Sequence, residues 1–200
     1  MTAAELLTLD HIEELDRQQK AQRQGLPFWR VSRDTGALLH ILARARETKR
    51  AVEVGTSSGY SGIFIASALR ATGGHLWTFD LEPFKVQLAR DNFERAGLSG
   101  CITQVAGDAL QTLPAFVVSA AEPLDFVFLD ALKPDYIHYF NALAPRFRSG
   151  TVICADNVGR HAQAVAEYLR AVRADPFETS VMPTVNSEGE TDAIAVSIRR

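Results

Sequence analysis

The stretch Ala51-Val52-Glu53-Val54-Gly55-Thr56-Ser57-Ser58-Gly59-Tyr60-Ser61-Gly62 decides how this chain is read. Residues 51–54 form a short apolar run broken by one carboxylate, a loop of small residues follows, and a helical pattern starts near Tyr60. Working outward, short apolar runs recur at 76–79, 102–105, 124–129 and 151–155, with helical patterns between them at about 60–71, 84–96, 109–119, 135–147 and 160–173. This alternation predicts an α/β fold with a parallel sheet and helices on both faces. Gly73-Gly74, Gly97 and Gly150 stand where helices are expected to stop. Two last runs, 177–182 and 193–198, have no helix between them and read as an antiparallel pair closing the sheet. No linker divides the chain, so residues 1–200 are expected to form one domain.

Upstream, residues 3–20 read as an amphipathic helix with Leu6, Leu7, Ile12 and Leu15 near one face. This N-terminal element, residues 1–24, is a candidate lid or dimer element. Gly25 and Pro27 break it, and Asp34 is the expected N-cap of a second helix carrying Ala37, Leu38, Ile41 and Leu42. Phe28 and Trp29, just after the break, suit either a substrate lid or ordinary packing.

The bulk numbers exclude several classes. A net charge of −3 with scattered basic residues leaves no footprint for nucleic acid. No run of 18 apolar residues exists, so no membrane span is expected. The N-terminus carries acidic residues and no apolar core, unlike a signal peptide. Two cysteines, Cys101 and Cys154, lack metal-ligand spacing and are too few for a disulfide framework, so the cytoplasm is the expected compartment.

In sheets of this kind ligands bind beyond the carboxyl ends of the strands. The first run is followed by Gly55 to Gly59, the second by Asp80, the third by Gly107-Asp108, the fourth by Asp130 and Lys133, and the fifth by Asp156-Asn157. Small residues, four carboxylates, an amide and an amine therefore share one rim.

The glycine turn has two readings. Gly55-Thr56-Ser57-Ser58-Gly59 fits the G-x-S-x-G nucleophile elbow, with Asp156 and His161 downstream in hydrolase order. Against it, only one strand precedes the turn, Glu53 sits close to the nucleophile, and the other rim carboxylates have no task. As a ligand cradle, the spacing G-x-x-x-G-x-x-G departs from the dinucleotide fingerprint. Asp80 is placed to accept both hydroxyls of a ribose, and Asp108 to take an adenine amino group. Glu53, Asp80 and Asp108 then describe a cationic, adenosine-containing ligand without phosphates, which S-adenosylmethionine fits.

Five motifs now stand in order: "EVGTSSGYS" (53–61), "FDLEP" (79–83), "GDA" (107–109), "FLDALKPDY" (128–136) and "CADNV" (154–158). Together they resemble the cation-dependent O-methyltransferases, the catechol and caffeoyl-CoA O-methyltransferase-like enzymes, over roughly residues 25–200. The resemblance implies a Rossmann-like methyltransferase sheet with strands in the order three-two-one-four-five-seven-six, the seventh antiparallel. It implies that Glu53, Gly55, Ser57 and Ser61 line the methionine side of S-adenosylmethionine. Asp80 would hold the ribose, Asp108 with Ala109 would flank the adenine, and Val31 and Ser32 would touch the methionine carboxylate.

Asp130, Asp156 and Asn157 are hard oxygen ligands that suit Mg²⁺, or another divalent ion such as Mn²⁺ or Ca²⁺, with positions left for substrate. Both Asp156 and Asn157 reach one ion only if the strand has ended and the loop turns there. Asp130, bordering cofactor and metal, is counted as catalytic together with Lys133, the expected general base. The acceptor is expected to be a small catechol-like phenol, and a homodimer is what the family implies. Ala131-Leu132 departs from the larger side chains usual after the metal aspartate. The segment 182–193 is expected to border the acceptor pocket, where Glu188 and Glu190 disfavour a strongly anionic acceptor such as a coenzyme A ester. A metal-independent methyltransferase and a non-catalytic S-adenosylmethionine-binding domain are the other readings.

Overall fold

The protein is described by a computed structural model covering residues 1–22, 28–119 and 122–200. The break expected at Gly25 and Pro27 lies outside the described residues. Helix α1 spans Ala3–Gln22 and α2 Arg33–Ala45; then come β1 (Arg50–Val54), α3 (Tyr60–Thr72), β2 (His75–Asp80), α4 (Pro83–Arg95) and β3 (Ile102–Ala106). They are followed by α5 (Ala109–Ser119), β4 (Leu124–Leu129), α6 (Tyr136–Leu143), β5 (Phe147–Ala155), α7 (Ala166–Val172), β6 (Phe177–Val185) and β7 (Thr191–Arg199). The seven strands form one sheet in the order β3-β2-β1-β4-β5-β7-β6, as expected, with β7 antiparallel to both of its neighbours.

The pattern of burial explains the apolar runs. Every residue of β4 is buried, because helices cover both faces of the sheet. Side chains alternate across the strand plane, so Ala51, Phe126 and Phe128 join the core beneath α2, α3 and α4. Val52, Val54, Val127 and Leu129 join the core beneath α5, α6 and α7. The polar exception in β4 is Asp125, whose carboxylate accepts the backbone N–H of Lys49 (2.9 Å) and Arg50 (3.1 Å) and bonds Arg46 and Arg148. A buried charge at the amino end of the sheet is thus fully partnered. No helix among the described residues is long and apolar enough to cross a membrane.

Four local expectations are corrected. Ser32, not Asp34, caps α2: its extended backbone lets Oγ accept the Thr35 N–H at 3.2 Å, leaving Asp34 in the first turn. Helix α1 does not bury Leu6 and Leu7, which are exposed. It buries Leu9 and Ile12 together with Glu5, Thr8 and Asp16. Ion pairs set that face: Glu5 meets Arg70 (2.9 Å) and accepts from Ser67 (3.0 Å), while Asp16 meets Arg30 (3.1 Å) and Lys20 (3.0 Å). Gly150 ends no helix. It lies inside β5 with φ +84°, where pairing jumps from Leu124–Phe147 to Phe126–Val152, a bulge that only glycine makes cheaply. Helix α6 stops at Leu143 because Pro145 cannot continue it, and α7 starts only at Ala166, so His161 occupies the preceding turn.

Candidate active site

The glycine turn folds tightly against two neighbouring strands. The N–H groups of Gly55 and Thr56 both donate to the Phe79 carbonyl, at 2.9 and 3.2 Å. Gly55 has φ +106°, and a Cβ there would sit 2.2 Å from the Asp130 carbonyl oxygen. Glycine is therefore required where the β1 and β4 loops meet. Ser57 has φ +47°, its N–H donates to Asp80 Oδ2 at 2.7 Å, and its hydroxyl donates to the Phe28 carbonyl. Among the described residues Ser57 bonds no imidazole, which leaves the nucleophile-elbow reading without a base.

A cavity of about 660 Å³ opens above this turn, within the range of small-molecule sites. Gly55, Ser57, Asp80, Asp108, Ala109, Asp130, Lys133 and Asn157 all border it. Each oxygen of the Asp80 carboxylate accepts one backbone N–H, from Ser57 and from Glu82 (3.0 Å), and keeps a lone pair for a ligand. Asp108 caps α5 through the Leu110 N–H at 2.9 Å. Val31 and Ser32 lie behind the wall, Val31 buried and Ser32 engaged in its cap.

Glu53 and Ser61 also lie behind it. Glu53 is fully buried and accepts from Ser61 Oγ and Thr78 Oγ1, each at 2.6 Å. Burial drives its carboxyl from 4.5 up to about 7, against the pull of those two donors and with help from the Asp130 and Asp80 charges. The fold thus prefers the neutral acid, so between pH 4.5 and about 7 the folded state binds more protons than the unfolded chain. Stability consequently falls as pH rises across that window. Glu53→Gln removes the loss. It is expected to raise the stability measured by thermal melts at pH ~8 by about 3 kcal/mol, with the gain vanishing below pH ~4.5.

The candidate oxygen donors follow the next two strands: Asp130 and Asn157 border the large cavity, and Asp156 borders the polar one beside it. Asp130 follows β4, its N–H donates to the Val54 carbonyl at 2.9 Å, and its Oδ1 meets Lys133 Nζ at 2.8 Å. Strand β5 ends at Ala155, and Asn157 has φ +57°. That left-handed turn breaks the alternation that would send adjacent side chains to opposite faces. The Asn157 amide donates through Nδ2 to Asp192 Oδ2 at 3.0 Å, which leaves its carbonyl oxygen as the free end. Asp192 also accepts the N–H groups of Gly159 (3.1 Å) and Arg160 (2.9 Å). The sequence motifs do not flag Asp192; its position at the start of an antiparallel strand is the signal that places it on this rim.

Asp156 is buried, and burial together with the Asp130 charge pushes its carboxyl well above the usual range. Among the described residues no three His, Cys, Asp or Glu side chains form a ready-made metal cage. The donor set is two crowded carboxylates and an amide oxygen, with negative charge to neutralise, and that fits a hard divalent cation. A second, polar cavity of about 310 Å³ adjoins Asp156 and Asn157.

The chain matches the sequence model of one family, O-methyltransferase, over residues 2–180. It belongs to the O-methyltransferase family. An O-methyltransferase from Bacillus cereus in complex with SAH shares the fold with a TM-score of 0.85 at 28% identity, over 96% of this chain and 90% of that one. The O-methyltransferase TomG from Streptomyces achromogenes, in complex with SAM, gives a TM-score of 0.83 at 29% identity, over 100% and 90% of the two chains. The catechol O-methyltransferase of Niastella koreensis is 38% identical over 143 residues, 72% of this chain and 64% of the relative. That of Mycobacterium tuberculosis is 38% identical over 144 residues, 71% and 63%. The chain thus spans a little under two thirds of the length of these curated O-methyltransferase relatives.

Proposed function

We propose that this protein is an S-adenosylmethionine-dependent O-methyltransferase that uses a divalent cation to methylate one hydroxyl of a small catechol-like acceptor. The observation that carries the proposal is a juxtaposition. An adenosine-sized cavity with Asp80 on its wall shares its rim with the oxygen donors Asp130 and Asn157 and the amine of Lys133. Asp80 is the residue for the ribose hydroxyls, and Asp108 with Ala109 for the adenine edge. Gly55 and Ser57 border the methionine end, with Glu53 and Ser61 supporting them from behind. Val31 and Ser32 take the carboxylate end only through their backbone.

Asp130, Asp156 and Asn157 would hold the cation. When bound, S-adenosylmethionine supplies a sulfonium methyl that the acceptor oxygen takes as the C–S bond breaks, and the cation supplies positive charge that eases loss of the acceptor proton. Lys133 Nζ, held on this rim by Asp130 at 2.8 Å, would take that proton as the neutral amine, the form open to it once Asp130 turns to the cation. Asp192 orients Asn157, and Gly55 keeps the cofactor loop pressed against Asp130, so donor and acceptor are aligned before reaction.

The test is transfer of labelled methyl from S-adenosylmethionine to catechol with Mg²⁺, expected to disappear in EDTA and return with excess Mg²⁺ or Mn²⁺. Transfer that persists in EDTA overturns the cation requirement, and absence of transfer across a panel of catechols overturns the acceptor class.

A further inference from the structure

The turn that carries Asp156 and Asn157 is held from two directions. Asn157 has φ +57°, a left-handed conformation that a residue with a side chain keeps only when its surroundings fix it. From β7, Asp192 grips the far side of the turn through the Asn157 amide and the N–H groups of Gly159 and Arg160. The near side is the peptide that joins Asp156 to Asn157. Its carbonyl oxygen accepts the Tyr136 hydroxyl at 3.1 Å. Among the described residues no other donor reaches that oxygen.

Tyr136 arrives from the neighbouring loop. It opens α6, in the segment that runs on from Asp130 and Lys133. Its side chain is completely buried, and Lys133 places Nζ 5.3 Å from the centroid of its ring. One rigid side chain thus meets the amine of the β4 loop and the backbone of the β5 loop. Packing alone does not call for the hydroxyl, since phenylalanine would fill the same space, and a buried hydroxyl is costly unless it is bonded. The bond it makes fixes the plane of the Asp156–Asn157 peptide. The peptide unit is rigid, and φ at Asn157 turns against that plane. Holding the plane therefore sets the directions in which both side chains leave the backbone.

We infer that Tyr136 is a positioning residue: its hydroxyl pins the Asp156–Asn157 peptide and so holds the oxygen donors of both residues in place for one cation. The inference rests on the cation-dependent reading of the site and adds to it a residue that touches neither acceptor nor methyl donor.

Tyr136→Phe keeps the ring and removes only the hydroxyl. Mn²⁺, titrated into the variant with S-adenosylhomocysteine and followed by electron paramagnetic resonance of the free ion, is expected to bind about tenfold more weakly than to the native protein, the scale of losing an outer partner of a metal ligand, while the calorimetric affinity for S-adenosylhomocysteine stays within about threefold. Tyr168→Phe is the control. Tyr168 lies edge-on to Tyr136, with ring centroids 5.8 Å apart, and among the described residues its buried hydroxyl bonds neither loop. It removes a phenol oxygen from the same aromatic cluster and is expected to keep native Mn²⁺ affinity. An unchanged Mn²⁺ affinity in Tyr136→Phe overturns the inference. So does equal weakening in the two variants, or a loss of S-adenosylhomocysteine affinity in Tyr136→Phe as large as the loss for Mn²⁺. A native protein that binds no Mn²⁺ would sink the cation reading, and hydrogen exchange then tests the pin alone. The amides of residues 157–161 should exchange about tenfold faster in Tyr136→Phe than in the native protein or in Tyr168→Phe. Equal exchange in the three proteins overturns the inference.

Discussion

Asp130→Ala is expected to lower kcat/KM for methyl transfer by about a thousandfold or more while the protein stays folded, since on the proposed function it removes a cation ligand and the partner of the base together. Asp130 lies just past β4, outside both apolar cores, and the two backbone contacts made at this position survive the substitution. The side chain's own partner is Lys133, at 2.8 Å. Its loss leaves Asp156 and Asn157 as the remaining oxygen donors. Excess Mg²⁺ should recover little, because two donors do not replace three. The melting temperature and S-adenosylhomocysteine affinity should remain close to native. A variant keeping more than about a tenth of native activity, in the presence of Mg²⁺, would mean that Asp130 neither binds the cation nor serves the base.

Gly55→Ala is expected to be the most damaging single methyl in the chain. Its Cβ would stand 2.2 Å from the carbonyl oxygen and 2.7 Å from the carbonyl carbon of Asp130, both backbone atoms that cannot rotate aside. At φ +106° an alanine is strained even with room to spare. Relief requires the β1 and β4 loops to part, which moves Asp130 away from Asn157. The expected cost is above about 3 kcal/mol, a fall in melting temperature of roughly 6–12 °C. The fraction that does fold should bind S-adenosylhomocysteine weakly. Gly73→Ala is the control. It too has positive φ, +69°, but its Cβ would meet nothing within 4 Å, so only the backbone term of about 1 kcal/mol applies. Equal losses in the two variants would mean that the contact with Asp130 is unimportant.

Most of the sheet could be read from residue order because its strands are buried on both faces. Runs such as Leu124–Leu129 then appear as unbroken apolar blocks, and the residues that follow them mark one rim. Where the local environment differs, the pattern fails. The first residues of β5 include Arg148 and Ser149, both exposed, so no apolar run announces a strand that begins at Phe147. The buried face of α1 is hidden from the pattern because Glu5 and Asp16, which normally signal solvent, are buried by guanidinium partners distant in sequence. The same limit applies to the site. Asp130, Asn157 and Asp80 declare themselves by their place at or just past the end of a strand. Glu53 shares the motif yet faces inward to Ser61 and Thr78, and no spacing reveals which way a strand's last side chains turn.

The reversed direction of β7 has an outcome for how such a protein can diversify. A strand running against its neighbours brings its opening residues, not its closing ones, to the functional edge, which is how Asp192 arrives beside Asn157. The hairpin joining β6 to β7 therefore hangs over the polar chamber, and the Gly55 turn lies on the far side of β4. Lengthening, shortening or recharging that hairpin would retool which acceptor is taken without disturbing the seat of the methyl donor, so the two halves of the chemistry are free to evolve at different speeds.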